Sequence, residues 1–69
     1  MNRTPVISSN VASVGYDLGT MTLEVEFTNG SVYQYFDVPE AVYQELMGAP
    51  SVGTYLNQNI KNSYRNAEI

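Results

Sequence analysis

Phe27-Thr28-Asn29-Gly30-Ser31-Val32-Tyr33-Gln34-Tyr35-Phe36-Asp37-Val38-Pro39 is the stretch from which the fold of this chain is read. Asn29-Gly30 tolerates positive φ at the centre of a tight turn, so the segments flanking it are expected to pair as an antiparallel hairpin. The segment before the turn alternates cleanly, with Met21, Leu23, Val25 and Phe27 on one side and Thr20, Thr22, Glu24 and Glu26 on the other. A period of two with one apolar side marks a strand with a core face and a wet face. Glu24 and Glu26 are therefore expected on a solvated face.

The turn also controls Tyr33 and Tyr35, because slipping the register by one residue exchanges the two faces of a strand. A two-residue loop at Asn29-Gly30 pairs Phe27 with Val32, Val25 with Gln34 and Leu23 with Phe36, leaving Tyr33 and Tyr35 on the solvent face. A three-residue loop, Thr28-Asn29-Gly30 with a bulge at the glycine, turns both tyrosines into the core beside Val25 and Leu23. The two-residue register is the first expectation and the three-residue register its alternative.

Toward the N-terminus, Val11 to Asp17 reads as a strand with Ala12, Val14 and Tyr16 on one face. A two-residue loop at Leu18-Gly19 would pair Tyr16 with Met21, Val14 with Leu23 and Ala12 with Val25. Residues 1–9 contain Pro5 and lead into the turn-like Ser8-Ser9-Asn10, so they read as a flexible or loosely anchored arm held through Val6 and Ile7. Beyond the hairpin, Val38-Pro39-Glu40 opens a helix, with Pro39 at its first position and Glu40 near the positive end of the dipole. Val42, Leu46, Tyr43 and Met47 face inward, Gly48 ends the helix and Pro50 prevents its continuation. Ser51 caps a second helix, whose apolar positions Val52, Tyr55, Leu56, Ile60 and Tyr64 form one stripe. Residues 66–69 are expected to fray. The resulting fold class is α+β: a three-stranded antiparallel meander followed by two helices packed on one face, in a single domain spanning 10–65.

A chain of 69 residues buries only about 60% of the surface its unfolded form exposes, so the core is thin. It contains no cysteine and no histidine, which removes disulfides, thiolate and imidazole metal ligands and the usual neutral-pH proton carrier. Ser51 and Ser63 have no histidine to activate them, and Glu24 and Glu26 lack a desolvated pocket that would separate their pKa values. The expectation is a non-enzymatic module without metal or cofactor. The N-terminus carries no apolar run and nothing approaches a membrane-spanning length, so no membrane association is expected and cytoplasmic residence fits.

Seven acidic residues against three basic ones give a formal charge of −4, which opposes a broad electrostatic grip on nucleic acid. Tyr33 and Tyr35 share a strand face and, when exposed, make a platform on which bases stack. Lys61, Tyr64 and Arg65 supply a small basic cluster near the C-terminus, which as a solvated helix end would need no ligand. Asn57, Gln58, Asn59 and Asn62 add an amide-rich face. Tyr33, Tyr35, Lys61, Tyr64 and Arg65 are accordingly the candidate binding residues. The expected partner is a protein or a second copy of the chain, with RNA as the alternative that the net charge disfavours.

Read in order, Ser8-Ser9, Gly15-Tyr16-Asp17, Leu23-x-Val25-x-Phe27, Gly30, Tyr33-x-Tyr35, Val38-Pro39, Ser51-x-Gly53, Asn57, Ile60 and Tyr64 resemble the KTSC domain. That family is named for the C-terminus of some lysyl-tRNA synthetases and consists mostly of small single-domain bacterial proteins. The resemblance covers Val6 to Tyr64. It implies a small domain for which RNA binding is suggested chiefly by attachment to a synthetase. Thr28 and Gln34 stand where the family often carries a basic residue, which weighs against RNA here.

Overall fold

A computed structural model describes residues 1–69, with the element order β1 (Thr4–Pro5), β2 (Val11–Asp17), β3 (Thr22–Phe27), β4 (Val32–Tyr35), α1 (Glu40–Gly48), α2 (Val52–Asn59) and β5 (Asn66–Glu68). The sheet has five strands rather than three, in the order β1-β2-β3-β4-β5, and every neighbouring pair is antiparallel. Its two extra strands come from the segments read as a loose arm and a fraying end. Both are short, and they widen the sheet that the meander alone provides.

The central hairpin takes the three-residue loop. Phe27 N–H donates to Ser31 O at 2.8 Å and Gly30 N–H to Phe27 O at 2.9 Å, while Gly30 adopts φ +92°. Leu23 therefore faces Tyr35, Val25 faces Tyr33 and Glu24 faces Gln34. This corrects the two-residue register: Tyr33 and Tyr35 point to the helix side of the sheet, not to its outer face. An Asx turn supports the loop, since Asn29 Oδ1 accepts from Ser31 N–H at 3.0 Å.

Between β2 and β3 the expected pairing is displaced by two residues, so that Tyr16 faces Leu23 and Val14 faces Val25. An even displacement preserves the faces, and the core set survives. Met21 instead leaves the strand for the turn, at φ 54° and 38% exposed. A bulge between Val11 and Ser13 then reverses the face of the strand start, which sends Val11 into the core opposite Phe27 and leaves Ala12 outside that set.

Leu23, Val25, Val14, Val11 and Tyr35 from the sheet pack with Val38, Leu46, Val52, Leu56 and Ile60 in one core, with Phe27 and Tyr16 partly buried against it. Ser51 caps α2 as expected, accepting from Thr54 N–H at 3.2 Å. Pro39 occupies the N-cap of α1 rather than its first turn, and α2 closes at Asn59 rather than running to Tyr64. Tyr55 ties the two helices by donating to Glu45 Oε1 at 2.6 Å; that bond, with burial and the carboxylate's charge, pushes the phenol up to about 12. Tyr16 Oη donates to Val38 O at 2.6 Å and its ring stacks on Tyr43 with centroids 4.8 Å apart, joining β2 to the entry of α1. No helix is long and apolar enough to cross a membrane.

The outer face is not the solvated surface its carboxylates suggest. Glu24 is 5% exposed. Gln34 Nε2 donates to Glu24 Oε1 at 2.9 Å, Arg3 forms an ion pair with Glu24 Oε2, and Arg3 Nε also donates to Ser13 Oγ at 3.0 Å. Ser13 in turn donates to Glu26 Oε1 at 2.9 Å. The arm can cross here because residue 15 is glycine: a Cβ would lie 2.6 Å from the Asn2 carbonyl oxygen. The amide of Gln34 and the guanidinium of Arg3 hold the Glu24 carboxyl below the usual carboxylate range, against burial, which pushes it up.

A carboxyl depressed in the folded state stabilises the fold above its unfolded pKa and loses that contribution as pH falls through the folded value. Stability is therefore expected to decline on acidification below about pH 4, the unfolded value of a glutamate, and the Glu24 share of the decline disappears in Glu24→Gln. Arg3→Ala, which leaves the buried carboxylate with Gln34 alone, is expected to lower neutral-pH stability by about 1–3 kcal/mol in urea melts. A loss below about 0.5 kcal/mol would place the arm outside the cooperative fold.

Candidate functional site

Phe27 and Tyr33, on the helix side of the sheet near the β3–β4 loop, are only partly buried against the core. A cleft of about 520 Å³ opens there, between the hairpin tip, the turn after α2 and the start of β5. Phe27 and Tyr33 line it, with ring centroids 5.8 Å apart and planes at 83°, an edge-to-face contact that keeps Tyr33 half-exposed. Tyr33 Oη donates to Glu68 Oε1 at 3.3 Å, which fixes the ring against β5.

Four asparagines border the same cleft, each brought there by a different segment: Asn10 before β2, Asn29 at the hairpin tip, Asn62 after α2 and Asn66 in β5. Asn10 is anchored from both sides. Its carbonyl accepts from Thr28 N–H at 2.9 Å, and its side chain accepts from Ser8 Oγ at 3.1 Å. Gly53 at the start of α2 lies so close to Asn10 that a Cβ would stand 2.4 Å from Asn10 Oδ1, with Ser8 Oγ in tight contact at 3.2 Å. Lys61 N–H donates to Leu56 O at 2.9 Å, and this bond sets the turn that carries Lys61 and Asn62 to the rim.

Of the candidate residues, the fold brings Tyr33, Tyr35 and Lys61 to one cleft and leaves Tyr64 and Arg65 outside its lining. Tyr35 is only 2% exposed and belongs to the core; burial, then the neighbouring Tyr33, raises its phenol pKa. Tyr64 is half-buried against the core. Arg65 pairs with Asp37 at 2.9 Å and lies over the Phe36 ring at 5.6 Å. Because Arg3 is held by Glu24, Lys61 is the one side-chain cation outside an ion pair. Lys61 directly follows Ile60, the C-cap of α2, with its N–H bonded to Leu56 O, so it stands at the helix end, whereas Arg65 lies beyond it.

Three of the four amides escape the sequence reading. Asn62 stands in the amide-rich run, but Asn10, Asn29 and Asn66 are scattered along the chain and are gathered only by the fold. Each side-chain amide both donates and accepts, so the group suits a neutral polar ligand. No group of three histidine, cysteine or acidic side chains is placed to bind a metal.

A family model described as the KTSC domain matches residues 7–64. An uncharacterized protein of Stutzerimonas stutzeri is 44% identical over 61 residues, covering 88% of this chain and 86% of its own length. A lysine–tRNA ligase of Nostoc punctiforme is 42% identical over 57 residues, covering 83% of this chain; the match spans 10% of the ligase. The crystal structure of a KTSC domain protein from Yersinia pestis superposes with a TM-score of 0.94 at 39% identity, over 99% of this chain and 96% of that one.

The two tyrosines are expected to differ in what they hold up. Tyr35→Ala should cost about 3–5 kcal/mol in urea melts, as for a fully buried aromatic, and Tyr33→Ala about 1–2 kcal/mol. Equal losses would show that Tyr33 is as much a core residue as Tyr35 and unavailable to a ligand.

Proposed function

The chain belongs to the KTSC domain family, and from that premise we propose that it is a non-enzymatic binding module that holds a polar segment of a protein partner in the cleft beside Tyr33 and Lys61. The observation that carries this reading is the convergence of Asn10, Asn29, Asn62 and Asn66 around a half-exposed aromatic pair. Amides match the donors and acceptors of a peptide backbone without requiring opposite charge, and the Tyr33 ring offers apolar contact at little entropic cost. Lys61 supplies one point of charge recognition. A chain free of cysteine fits a reducing cytoplasm.

The lysine–tRNA ligase relatives favour a second reading, in which the module contacts RNA through Tyr33, Tyr35, Lys61, Tyr64 and Arg65. Burial of Tyr35 leaves one ring rather than two for stacking, and two of the three basic side chains already have carboxylate partners. A groove that tracks a phosphate backbone needs several cations. At a net charge of −4 the surrounding field also lowers the local concentration of phosphate.

Capture from bacterial cytosol on the immobilised chain, with proteins and RNA identified separately, tests the two readings. A protein should be retained through nuclease treatment, and Lys61→Ala or Asn62→Ala should weaken its retention while leaving urea stability within about 0.5 kcal/mol. Loss of the captured material on nuclease treatment, with an affinity for RNA falling on salt addition by a log–log slope steeper than about −1, would replace the protein reading with the RNA one.

A further inference from the structure

We propose that a second copy of this chain adds to the free edge of β5, joining two five-stranded sheets into one across a two-fold axis at Ala67. This goes beyond the cleft reading, since it concerns the backbone edge of the sheet and not the cleft interior.

The two edges of the sheet are unlike. At the β1 edge, Val6 N–H donates to Ala12 O, and Thr4 faces Val14, so Thr4 and Val6 turn their hydrogen-bonding groups toward β2 and residue 5 turns its own away. Residue 5 is proline, which has no N–H to offer. That edge is blunted. At the β5 edge, Phe36 N–H donates to Arg65 O at 2.8 Å and Ile69 N–H to Val32 O at 2.9 Å, with Ala67 facing Gln34 between them. Alternation along an antiparallel ladder then directs the N–H and C=O groups of Asn66 and Glu68 outward. Asn66, Ala67 and Glu68 are all exposed.

The edge selects its own partner and register. When two β5 strands run antiparallel with Ala67 opposite Ala67, Asn66 of each copy faces Glu68 of the other, and the four outward groups on each strand exchange four hydrogen bonds across the axis. The side chains agree with this pairing. An Asn amide stands beside a carboxylate at both ends, and only alanine lies between them. Registers that set Glu68 against Glu68 oppose like charges and are disfavoured. With Pro5 at the other edge the assembly closes at two copies instead of growing into a filament. The short edge and the charge of −4 on each copy keep the association weak, with a dissociation constant on the order of 0.1–1 mM that tightens as salt screens the repulsion.

Sedimentation equilibrium of the intact chain from about 10 μM to about 1 mM, together with residue-resolved amide exchange, tests this. A dimer should appear at the upper concentrations, and the Asn66 and Glu68 amides should slow there while the outward amides of the β1 edge, Arg3 and Ile7, do not change. Asn66→Lys, which faces Glu68 twice across the axis, should tighten the dimer about three- to tenfold, and Asn66→Glu should loosen it by a similar factor. Gln58→Lys on exposed α2 adds the same charge away from the edge and controls for net repulsion. A monomer throughout the range overturns the proposal. So does a dimer that leaves Asn66 and Glu68 amides unprotected, or one that responds equally to Asn66→Lys and Gln58→Lys.

Discussion

The length of one loop sets the side from which half of this molecule is built. Gly30, at φ +92°, lets the hairpin turn in three residues, Thr28 to Gly30, and that choice fixes the parity of β4. Tyr35 then enters the core opposite Leu23, and Gln34 comes to the outer face opposite Glu24. Had the loop closed in two residues, Gln34 would point into an apolar core and Glu24 would lose the amide that most depresses its pKa. A buried amide without partners costs more than its hydrogen bonds return in water, so the parity is enforced from both faces at once.

The consequences run outward from Gln34. Glu24, satisfied on one oxygen by that amide, takes Arg3 on the other, and Arg3 draws the N-terminal segment across Gly15 to pair as β1. On the far side, β4 offers its second edge to the C-terminal segment, which pairs as β5. For so small a chain these additions matter. The helices cover one face only, and the outer face is closed by a polar network, in which Arg3 pairs with Glu24 and Ser13 bonds Glu26, instead of by a second layer. No buried side-chain nitrogen or oxygen is left without a partner.

The residues that carry the family resemblance mostly hold this architecture together. Gly15 admits the arm, Tyr16 bonds the Val38 carbonyl, Asp17 Oδ1 accepts from Gly19 N–H at 2.9 Å in the following turn, and Gly53 lets α2 approach Ser8 and Asn10. The cleft, by contrast, is lined largely by residues outside that set, such as Asn10, Asn62, Asn66 and Lys61. Within the family pattern only Phe27, Tyr33 and Tyr35 line it as well. The pattern therefore identifies the fold more sharply than it identifies a ligand.

Local pattern alone determined the antiparallel hairpin at Asn29-Gly30, the alternation of β3, the capped start of α2 and the core residues Leu23, Val25, Leu46, Leu56 and Ile60. Each of these rests on neighbours a few positions apart, where periodicity and turn chemistry act directly. The exclusion of histidine and cysteine chemistry needed no structure. Tertiary structure decided the parity of Tyr33 and Tyr35, the bulge that turns Val11 inward, the burial of Glu24 and the strands at both termini. It also gathered Asn10, Asn29, Asn62 and Asn66 into one cleft and separated Lys61 from Arg65. All of these depend on which distant segment lies opposite, and a single inserted loop residue or bulge reverses a strand face without changing the alternation that the sequence displays.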